Sequence, residues 1–303
     1  MRYHGYQNLT RHFGASVFTR FLEKLASTLN GEFMKSCPSS LYKYQSLTLH
    51  ALDALANEQV YFAPPSKLND PYDCGITPIV GVPSVEDMQA IVTTLGGVTV
   101  DEFQTSEWGQ LGGRERFTEH AMDAARRVLS DRISEFANSR GVTCFAESNS
   151  NLLMWSHYAD AMRGFCLEFD TSFDLFEKVR PIQYLDRMPT INLFGLLLGT
   201  REEVGYDVMS AFFTKSVDWA YEAEWRVLHE KGATLYGYGS DCLKSIYFGP
   251  AMTETNMRII WSLVHLQNRR VKFYRGKRSR VRYEVEFDPY VPRSGISKGA
   301  YAW

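Results

Sequence analysis

Apolar residues along the chain recur at two spacings, one typical of helices and one typical of strands. Strands are predicted at 41–44, 59–63, 142–146, 165–169, 179–185, 224–229, 244–248, 271–274 and 281–287. Helices are predicted at 15–30, 48–56, 85–95, 114–139, within 148–164, and at 190–213 and 253–267. These elements show no regular βαβ order, which favours an α+β fold over a doubly wound sheet.

The break at Cys37-Pro38 separates the first predicted helix from the rest of the pattern. We therefore expect an N-terminal helical extension over residues 1–36 and a single α+β domain over 37–303. The N-terminal residues lack the apolar run of a secretory signal, and no segment is apolar for long enough to span a membrane. The five cysteines include no CxxC pair, which indicates free thiols in a reducing cytoplasm and no zinc site.

Net charge and local composition indicate whether the protein binds nucleic acid. The net charge is −2, which argues against a protein built mainly to hold nucleic acid. Residues 268–282 are the exception, since they carry eight Lys or Arg with Phe273 and Tyr274 between them. This composition is typical of a surface that binds a polyanion through phosphate contacts and stacking. The alternative is a solvated basic hairpin.

Four polar clusters lie beside predicted strand ends, at 42–44, 66–73, 155–163 and 215–226. Each alone has a structural explanation, as an edge strand, a turn, a packed helix face or a solvated strand. Together they predict a site, because ligand sites of such folds form where strands end. We expect four of their residues to converge on one pocket: Asn69, Trp155, Tyr158 and Glu224.

The fourth cluster places two acids one residue apart, at Glu222 and Glu224. If alternation begins at Tyr221, both carboxylates and Arg226 lie on one face of the strand. Solvent on that face would make the acids ordinary surface residues, whereas a cleft would make them candidates for chemistry. We expect Glu224 to be partly exposed and to contribute little to stability.

Five segments in this order resemble a bacterial family known as domain-of-unknown-function family 2971. They are "LYKYQSL", "VYFAPPSKLNDPYD", "CFAESNSNLLMWSHYADAMRGFCLEFD", "FFTKSVDWAYEAEWRV" and "SIYFGP". The resemblance runs from about residue 41 to residue 275 and leaves the N-terminal segment outside. This family has no assigned activity.

Three segments also resemble, more weakly, the ADP-ribosyltransferase-like domains: "LYKYQS…ALDALANEQVYFA", "GVTCFAESNSNLLMWSHY" and "YEAEWRVL". The resemblance implies a split mixed or antiparallel sheet core with inserted helices and an N-terminal helix, and NAD as substrate. It implies catalytic roles for Glu224, Glu222, Tyr158 and His157. It implies contacts to NAD from Tyr42, Lys43, Tyr44, Ser66, Asn69, Asp70, Trp155, Ser156, Arg163, Lys215, Trp219 and Arg226. The histidine or arginine usual in the first strand is replaced here by Lys43 or Tyr44.

The chemistry implied by this resemblance is cleavage of the bond between nicotinamide and ribose. Glu224 would stabilise the oxocarbenium ion, and Glu222 would orient or deprotonate an acceptor. The expected function is an NAD-consuming transferase or hydrolase, as a toxin or a phage-defence effector. Two alternatives stay open at this point: a non-catalytic module that binds a nucleotide or nucleic acid, and a metal-dependent nuclease using Asp70, Asp73 and Glu224.

Overall fold

A computed structural model of the protein describes residues 36–75, 135, 137–188 and 211–292. The predicted helices at 15–30 and 85–95 lie outside these residues, as do nearly all of those at 114–139 and 190–213. The N-terminal extension over residues 1–36 and its boundary with a single domain therefore stay predictions. The chain divides into two compact units, and each is described by itself.

Strands and helices of the described residues follow in this order along the chain. The strands are β1 (Ser40–Gln45), β2 (Gln59–Phe62), β3 (Gly141–Ala146), β4 (Phe165–Asp170), β5 (Arg180–Pro181), β6 (Gln183–Leu185), β7 (Thr214–Ser216), β8 (Glu224–His229), β9 (Thr234–Gly237), β10 (Leu243–Phe248), β11 (Lys272–Arg278) and β12 (Val285–Pro289). The helices are α1 (Leu49–Ala56), α2 (Leu152–Tyr158) and α3 (Glu254–His265). Short 3-10 helices span Pro65–Lys67, Asp174–Phe176, Val217–Glu222 and Ser240–Cys242.

Each of the three helices begins at a polar residue whose side chain accepts a backbone N–H. Thr48 accepts from Ala51, Asn151 from Leu153, and Thr253 from the third residue after it. These bonds satisfy amide groups that have no partner inside the helix. The predicted helix start at Thr48 is confirmed, and so is the polar cap before α2.

An eight-stranded sheet dominates the second unit, which comprises Lys35–Pro64, Arg140–Ile182 and Asp218–Trp303. The strand order is β12-β11-β10-β4-β1-β3-β8-β5. Every neighbouring pair is antiparallel except β10 and β11, which are parallel and are connected through α3. The α+β class with a mixed sheet is confirmed.

The two faces of this sheet bury different sets of residues, because side chains alternate along each strand. One face carries residues such as Leu41, Phe145 and Trp225 and packs against α1 and α3 in the larger core. The opposite face carries Tyr44, Ala146 and other residues that pack against α2 in a smaller core. The face with the smaller core is therefore the one against which α2 packs, and α2 carries the predicted site residues Trp155, Ser156, His157 and Tyr158.

The first unit comprises Met1–Met34, Pro65–Ser139 and Gln183–Val217. Within its described part, β6 and β7 form a parallel pair, and the loop 65–75 begins with the 3-10 helix. Sequence patterning missed β7 and β9, which are only three and four residues long. It also joined β5 and β6 into one strand and began the last strand four residues before Val285.

Candidate functional site

The turn before β8 changes the predicted arrangement of the two acids. Val217–Glu222 forms a 3-10 helix, and the strand begins only at Glu224. Ala223 between them has φ of 44°, in the left-handed region, and its N–H donates to the carbonyl of Ala220 at 3.2 Å. Alternation from Tyr221 is therefore wrong, because the left-handed residue interrupts the extended backbone on which alternation depends.

Glu224 is held in a buried ion pair with Arg226. Nε of Arg226 donates to Oε1 of Glu224 at 2.5 Å, and Nη2 of Arg226 donates to Oε2 at 3.1 Å. Glu224 is 5% exposed and Arg226 is 0% exposed. The expectation of a partly exposed Glu224 is wrong, since Arg226 covers both of its oxygens with a bidentate contact.

Lys43 and Cys144 lie close to this ion pair. The ammonium of Lys43 donates to Thr143 Oγ1 at 2.9 Å and to the carbonyl of Cys144 at 3.1 Å. Burial lowers the pKa of Lys43, and the carboxylate of Glu224 acts in the opposite direction. Burial raises the pKa of the Cys144 thiol well above its ordinary value, and Glu224 raises it further. The two hydrogen bonds of the Lys43 ammonium link β1, which carries Lys43, to the neighbouring strand β3.

Glu222 forms a second acid site at the end of α2. The hydroxyl of Tyr158 donates to Oε1 of Glu222 in a short hydrogen bond. Glu222 is 4% exposed, so the protein surrounds its carboxylate almost completely. Tyr158 is only partly buried. The pair thus combines a buried acid with a tyrosine that reaches the surface.

Aromatic rings continue from Tyr158 along the surface. The ring centroids of His157 and Tyr158 are 6.3 Å apart, and those of His157 and Tyr221 are 5.9 Å apart. Nδ1 of His157 and the hydroxyl of Tyr221 share a hydrogen bond of 2.9 Å, and Trp219 follows at 6.0 Å from Tyr221. We name these four side chains the ring row. His157 is exposed and the other three are partly buried.

Comparison with known proteins bears on the residues just described. A family model described as "Protein of unknown function (DUF2971)" matches residues 154–227. Over these residues the chain is similar to that family. The matched stretch contains the ring row, both acids and Arg226, and over it the predicted family resemblance is confirmed. No curated protein and no solved structure matches the chain.

Three other predicted residues of the DUF2971 segment have clear surroundings. Trp155 is 0% exposed, donates to the carbonyl of Asn149 at 2.6 Å and packs in the smaller core. It therefore supports α2 and has no surface with which to contact a ligand. Ser156 is exposed. Arg163 is exposed and forms an ion pair with Asp160 at 2.9 Å.

The predicted tyrosines of β1 have different environments. Tyr44 is buried, packs edge-on against Trp155 at 5.2 Å and donates to the carbonyl of Ser148 at 2.8 Å. Burial raises the pKa of Tyr44. Tyr42 is partly buried and packs edge-on against Tyr247 at 6.1 Å. Burial and the charge of Glu168 raise the pKa of Tyr42 to about 12.

Glu168 is a buried acid that the sequence analysis missed. Its carboxylate accepts from Ser40 Oγ at 3.0 Å and from the Tyr247 hydroxyl at 2.8 Å, and Lys244 Nζ lies 3.8 Å away. The signal is a single acid inside the apolar strand "FCLEFD", opposite Tyr42 in the ladder. A buried carboxylate of this kind needs partners, and the chain supplies them from β1 and β10.

Four predicted site residues lie in the first unit, and three of them share a pocket. Ser66, Asn69 and Asp70 line a cavity of about 400 Å³. Lys215 pairs with Asp73 at 3.5 Å, and both side chains are buried. The predicted convergence of Asn69 with Trp155, Tyr158 and Glu224 joins residues of different units and stays a prediction.

The basic segment 268–282 is only partly available to a partner. Phe273 is buried in the larger core, and Tyr274 stacks on Tyr247 with centroids 4.9 Å apart. Half of the cations are paired with acids within 4 Å: Arg270, Arg275, Lys277 and Arg282. Among the described residues, the other half make no ion pair and are exposed: Arg269, Lys272, Arg278 and Arg280.

The described residues include neither a candidate membrane span nor a cluster of metal-binding side chains. No helix there has the length and apolarity needed to cross a membrane. Within the same ranges, no group of three or more His, Cys, Asp or Glu side chains is arranged to hold a metal ion.

Proposed function

We propose that the protein cleaves the bond between nicotinamide and ribose in NAD and transfers ADP-ribose to water or to an acceptor. The observation that carries this proposal is the buried Glu222 carboxylate, bonded to the Tyr158 hydroxyl beside the ring row. A site of this kind has a negative charge, a hydroxyl and flat rings in one place. Those are the groups that the reaction of a cationic nucleotide requires.

Glu222 supplies the charge in this mechanism. As the glycosidic bond breaks, its electron pair stays with the nicotinamide nitrogen, which becomes neutral, and positive charge develops on the ribose. A fixed carboxylate stabilises that oxocarbenium ion more than it stabilises the substrate, and this lowers the barrier. The acceptor oxygen then bonds to the ribose carbon, and its proton passes to the carboxylate of Glu222.

The ring row supplies the contact for the leaving group. Nicotinamide in NAD is a flat cation, and cations bind over the faces of tyrosine and tryptophan rings. The ring of Tyr221 lies 5.9 Å from that of His157, and the ring of Trp219 lies 6.0 Å from that of Tyr221, so both rings are candidates for this contact. The attraction weakens once nicotinamide is neutral, so the same contact favours release of the product.

Glu224 has a positioning role in this proposal. Arg226 binds both of its oxygens, so its charge is offset before any substrate arrives. The pair fixes the first residues of β8 and hence the turn that carries Glu222. We assign the reacting carboxylate to Glu222 because it is bonded to the Tyr158 hydroxyl beside the ring row. The acceptor-side role expected for Glu222 then becomes part of the same step.

The test is nicotinamide release from NAD by the purified protein, followed by chromatography, with and without cell lysate. Glu222→Gln keeps the size of the side chain and removes its charge, so release should fall by about 10²–10³-fold. Tyr158→Phe removes the hydroxyl alone and should reduce release by a smaller factor. Glu230→Gln, an exposed acid at the end of β8, is the matched control and should keep full activity.

Absence of nicotinamide release from the wild-type protein under both conditions would contradict the proposal. So would a folded Glu222→Gln variant with unchanged release. If activity is found, loss of toxicity on expression of Glu222→Gln would support the role as a toxin or defence effector. Unchanged toxicity would show that the toxic effect does not depend on cleavage of NAD by Glu222.

A second candidate function is binding of a nucleic acid by the basic segment 268–282. It is favoured by the four exposed cations without ion pairs and by Tyr283, which is 97% exposed. Binding that depends on these cations releases counterions, so its affinity falls steeply with salt. Changing Arg269, Lys272, Arg278 and Arg280 to Ser should flatten that salt dependence.

The paired cations of the same segment provide the matched control. Arg270, Arg275, Lys277 and Arg282 already contact acids, so the corresponding fourfold Ser variant should change the salt slope less. Equal slopes for the two variants, or no binding by the wild type, would show that the segment is only a solvated surface.

A further inference from the structure

The loop 65–75 of the first unit encloses, together with helical residues near 137, a pocket of about 400 Å³. This volume is at the lower end of the range of roughly 300–1,000 Å³ found for small-molecule sites. Apolar groups of Pro65, Leu68 and Ala137 form part of the wall, and polar side chains form the rest. The pocket therefore suits a short molecule with one strongly polar end.

Among the described residues that line this pocket are two carboxylates, and they differ in their partners within those residues. Asp73 pairs with Lys215 at 3.5 Å, and both side chains are almost fully buried. Asp70 is 8% exposed, and its Oδ1 accepts the backbone N–H of Tyr72 at 2.9 Å. Its second oxygen, Oδ2, accepts no hydrogen bond and no ion pair from the described residues.

Oδ2 of Asp70 is not among the buried polar atoms that lack a partner, so this oxygen is open to the pocket. The contact of Asp73 with Lys215 offsets the charge of Asp73, whereas Asp70 has no such cation among the described residues. A ligand with a positive charge would find an accessible anionic acceptor at Asp70, and a neutral ligand would gain less from it. The apolar part of the pocket wall beside this carboxylate favours an organic cation.

We infer that this pocket binds a small organic cation, whose ammonium or guanidinium group donates to Asp70. Ser66 and Asn138 line the same pocket and offer further oxygen acceptors for the remaining N–H groups. The methylene groups of such a molecule pack against Pro65 and Leu68. This site is independent of the chemistry proposed for Glu222.

The wild-type protein provides the first test, by calorimetric titration with putrescine and with agmatine. Each is compared with 1,4-butanediol, which has the carbon chain of putrescine and no charge. A hydrogen bond to a charged group contributes more than a neutral one, so at least one amine should bind roughly ten- to hundredfold more tightly than the diol. Equal binding, or no saturable binding by either amine, overturns the inference.

The second test is Asp70→Asn, which keeps Oδ1 as acceptor for the amide of Tyr72 and removes the charge. Affinity for the amine should fall by roughly ten- to hundredfold, while affinity for the diol stays unchanged. Asp186→Asn removes an exposed acid of the same unit and should leave both affinities unchanged. An Asp70→Asn variant that binds amines as the wild type does also overturns the inference. If that variant fails to fold, the comparison on the wild-type protein decides.

Discussion

At the scale of single residues, Glu224 and Arg226 define the start of β8. They are two positions apart on one strand, so both side chains lie on the same face. Their bidentate contact is buried, and the guanidinium has no exposed surface. Removing one partner would break a buried bidentate contact, which is the costly case for an ion pair.

Glu224→Gln is therefore expected to lower the free energy of unfolding by about 3–5 kcal/mol, measured by urea denaturation. This replaces the expectation from sequence that the variant would melt near the wild type. The double variant Glu224→Gln with Arg226→Met removes both charges and should recover most of the loss. A single variant as stable as the wild type would show that the pair is not buried in solution.

Tyr42 carries a second prediction at this scale, on alkaline stability. Burial and Glu168 raise its pKa to about 12 in the folded protein, from 10 in the unfolded chain. Because the pKa is raised in the folded state, the stability that the protonated Tyr42 hydroxyl contributes is fully present below pH 10. It is lost as the pH rises towards 12. Tyr42→Phe should therefore lose less stability than the wild type between pH 10 and pH 12.

The measurement is the free energy of unfolding in urea at several pH values in this window. Tyr283→Phe, which changes a side chain in full contact with solvent, is the control and should decline as the wild type does. A Tyr42→Phe variant with the same decline as the wild type would argue against a buried hydroxyl at this position.

At the scale of elements, the exit from α2 is a strongly constrained connection. Asp160, Ala161 and Met162 all have positive φ, between 47° and 70°. Gly164 follows, and a Cβ at that position would lie 2.1 Å from the carbonyl oxygen of Gln45. The exit thus combines three left-handed residues with one position where only glycine fits.

Substitutions at this exit should act in opposite directions. Ala161→Gly relieves a left-handed alanine, which is worth about 1–2 kcal/mol, but adds freedom to the unfolded chain. The net change should be a gain of up to about 1 kcal/mol in thermal or urea unfolding. Gly164→Ala should cost about 1–3 kcal/mol or more, because Gln45 belongs to β1 and cannot move freely. The reverse order of stabilities would contradict this geometry.

The same elements show what could be predicted from sequence. Strands such as β4 and β10, and the start of α1 at Thr48, follow from local alternation and capping chemistry, which depend only on neighbouring residues. The left-handed Ala223 has no such signal, since alanine has no preference for that conformation. The burial of Arg226 depends on which elements cover the strand, and an acid and a base in alternation are equally typical of a solvated face.

At the scale of the whole molecule, the order of strands in the large sheet determines which of them can be removed. β11 and β12 form one end of the sheet and cover the edge of β10. Phe248 of β10 stacks on Phe273 at 6.1 Å and packs edge-on against Tyr290 at 5.2 Å. A chain that ends at residue 266 loses both aromatic partners and exposes β10 as an unpaired edge.

Such a chain is expected to aggregate, because an exposed apolar edge strand pairs with other chains. The soluble fraction after expression and the light scattering of the purified protein measure this. A chain that ends at residue 292 retains all the described strands and is the matched control. A soluble, folded chain of 266 residues would show that the last two strands are dispensable.

The position of β1 in the sheet has a consequence for the order of events on the ribosome. Ser40 pairs with Asp170, roughly 130 positions later in the chain. Translation at about 5–20 residues per second separates the two strands by roughly 7–26 s. During that interval the nascent β1 has no partner on the side of β4, although its residue Leu41 is apolar. A chaperone that binds apolar nascent segments would therefore find β1 available during this interval, and pairing with β4 would end that exposure.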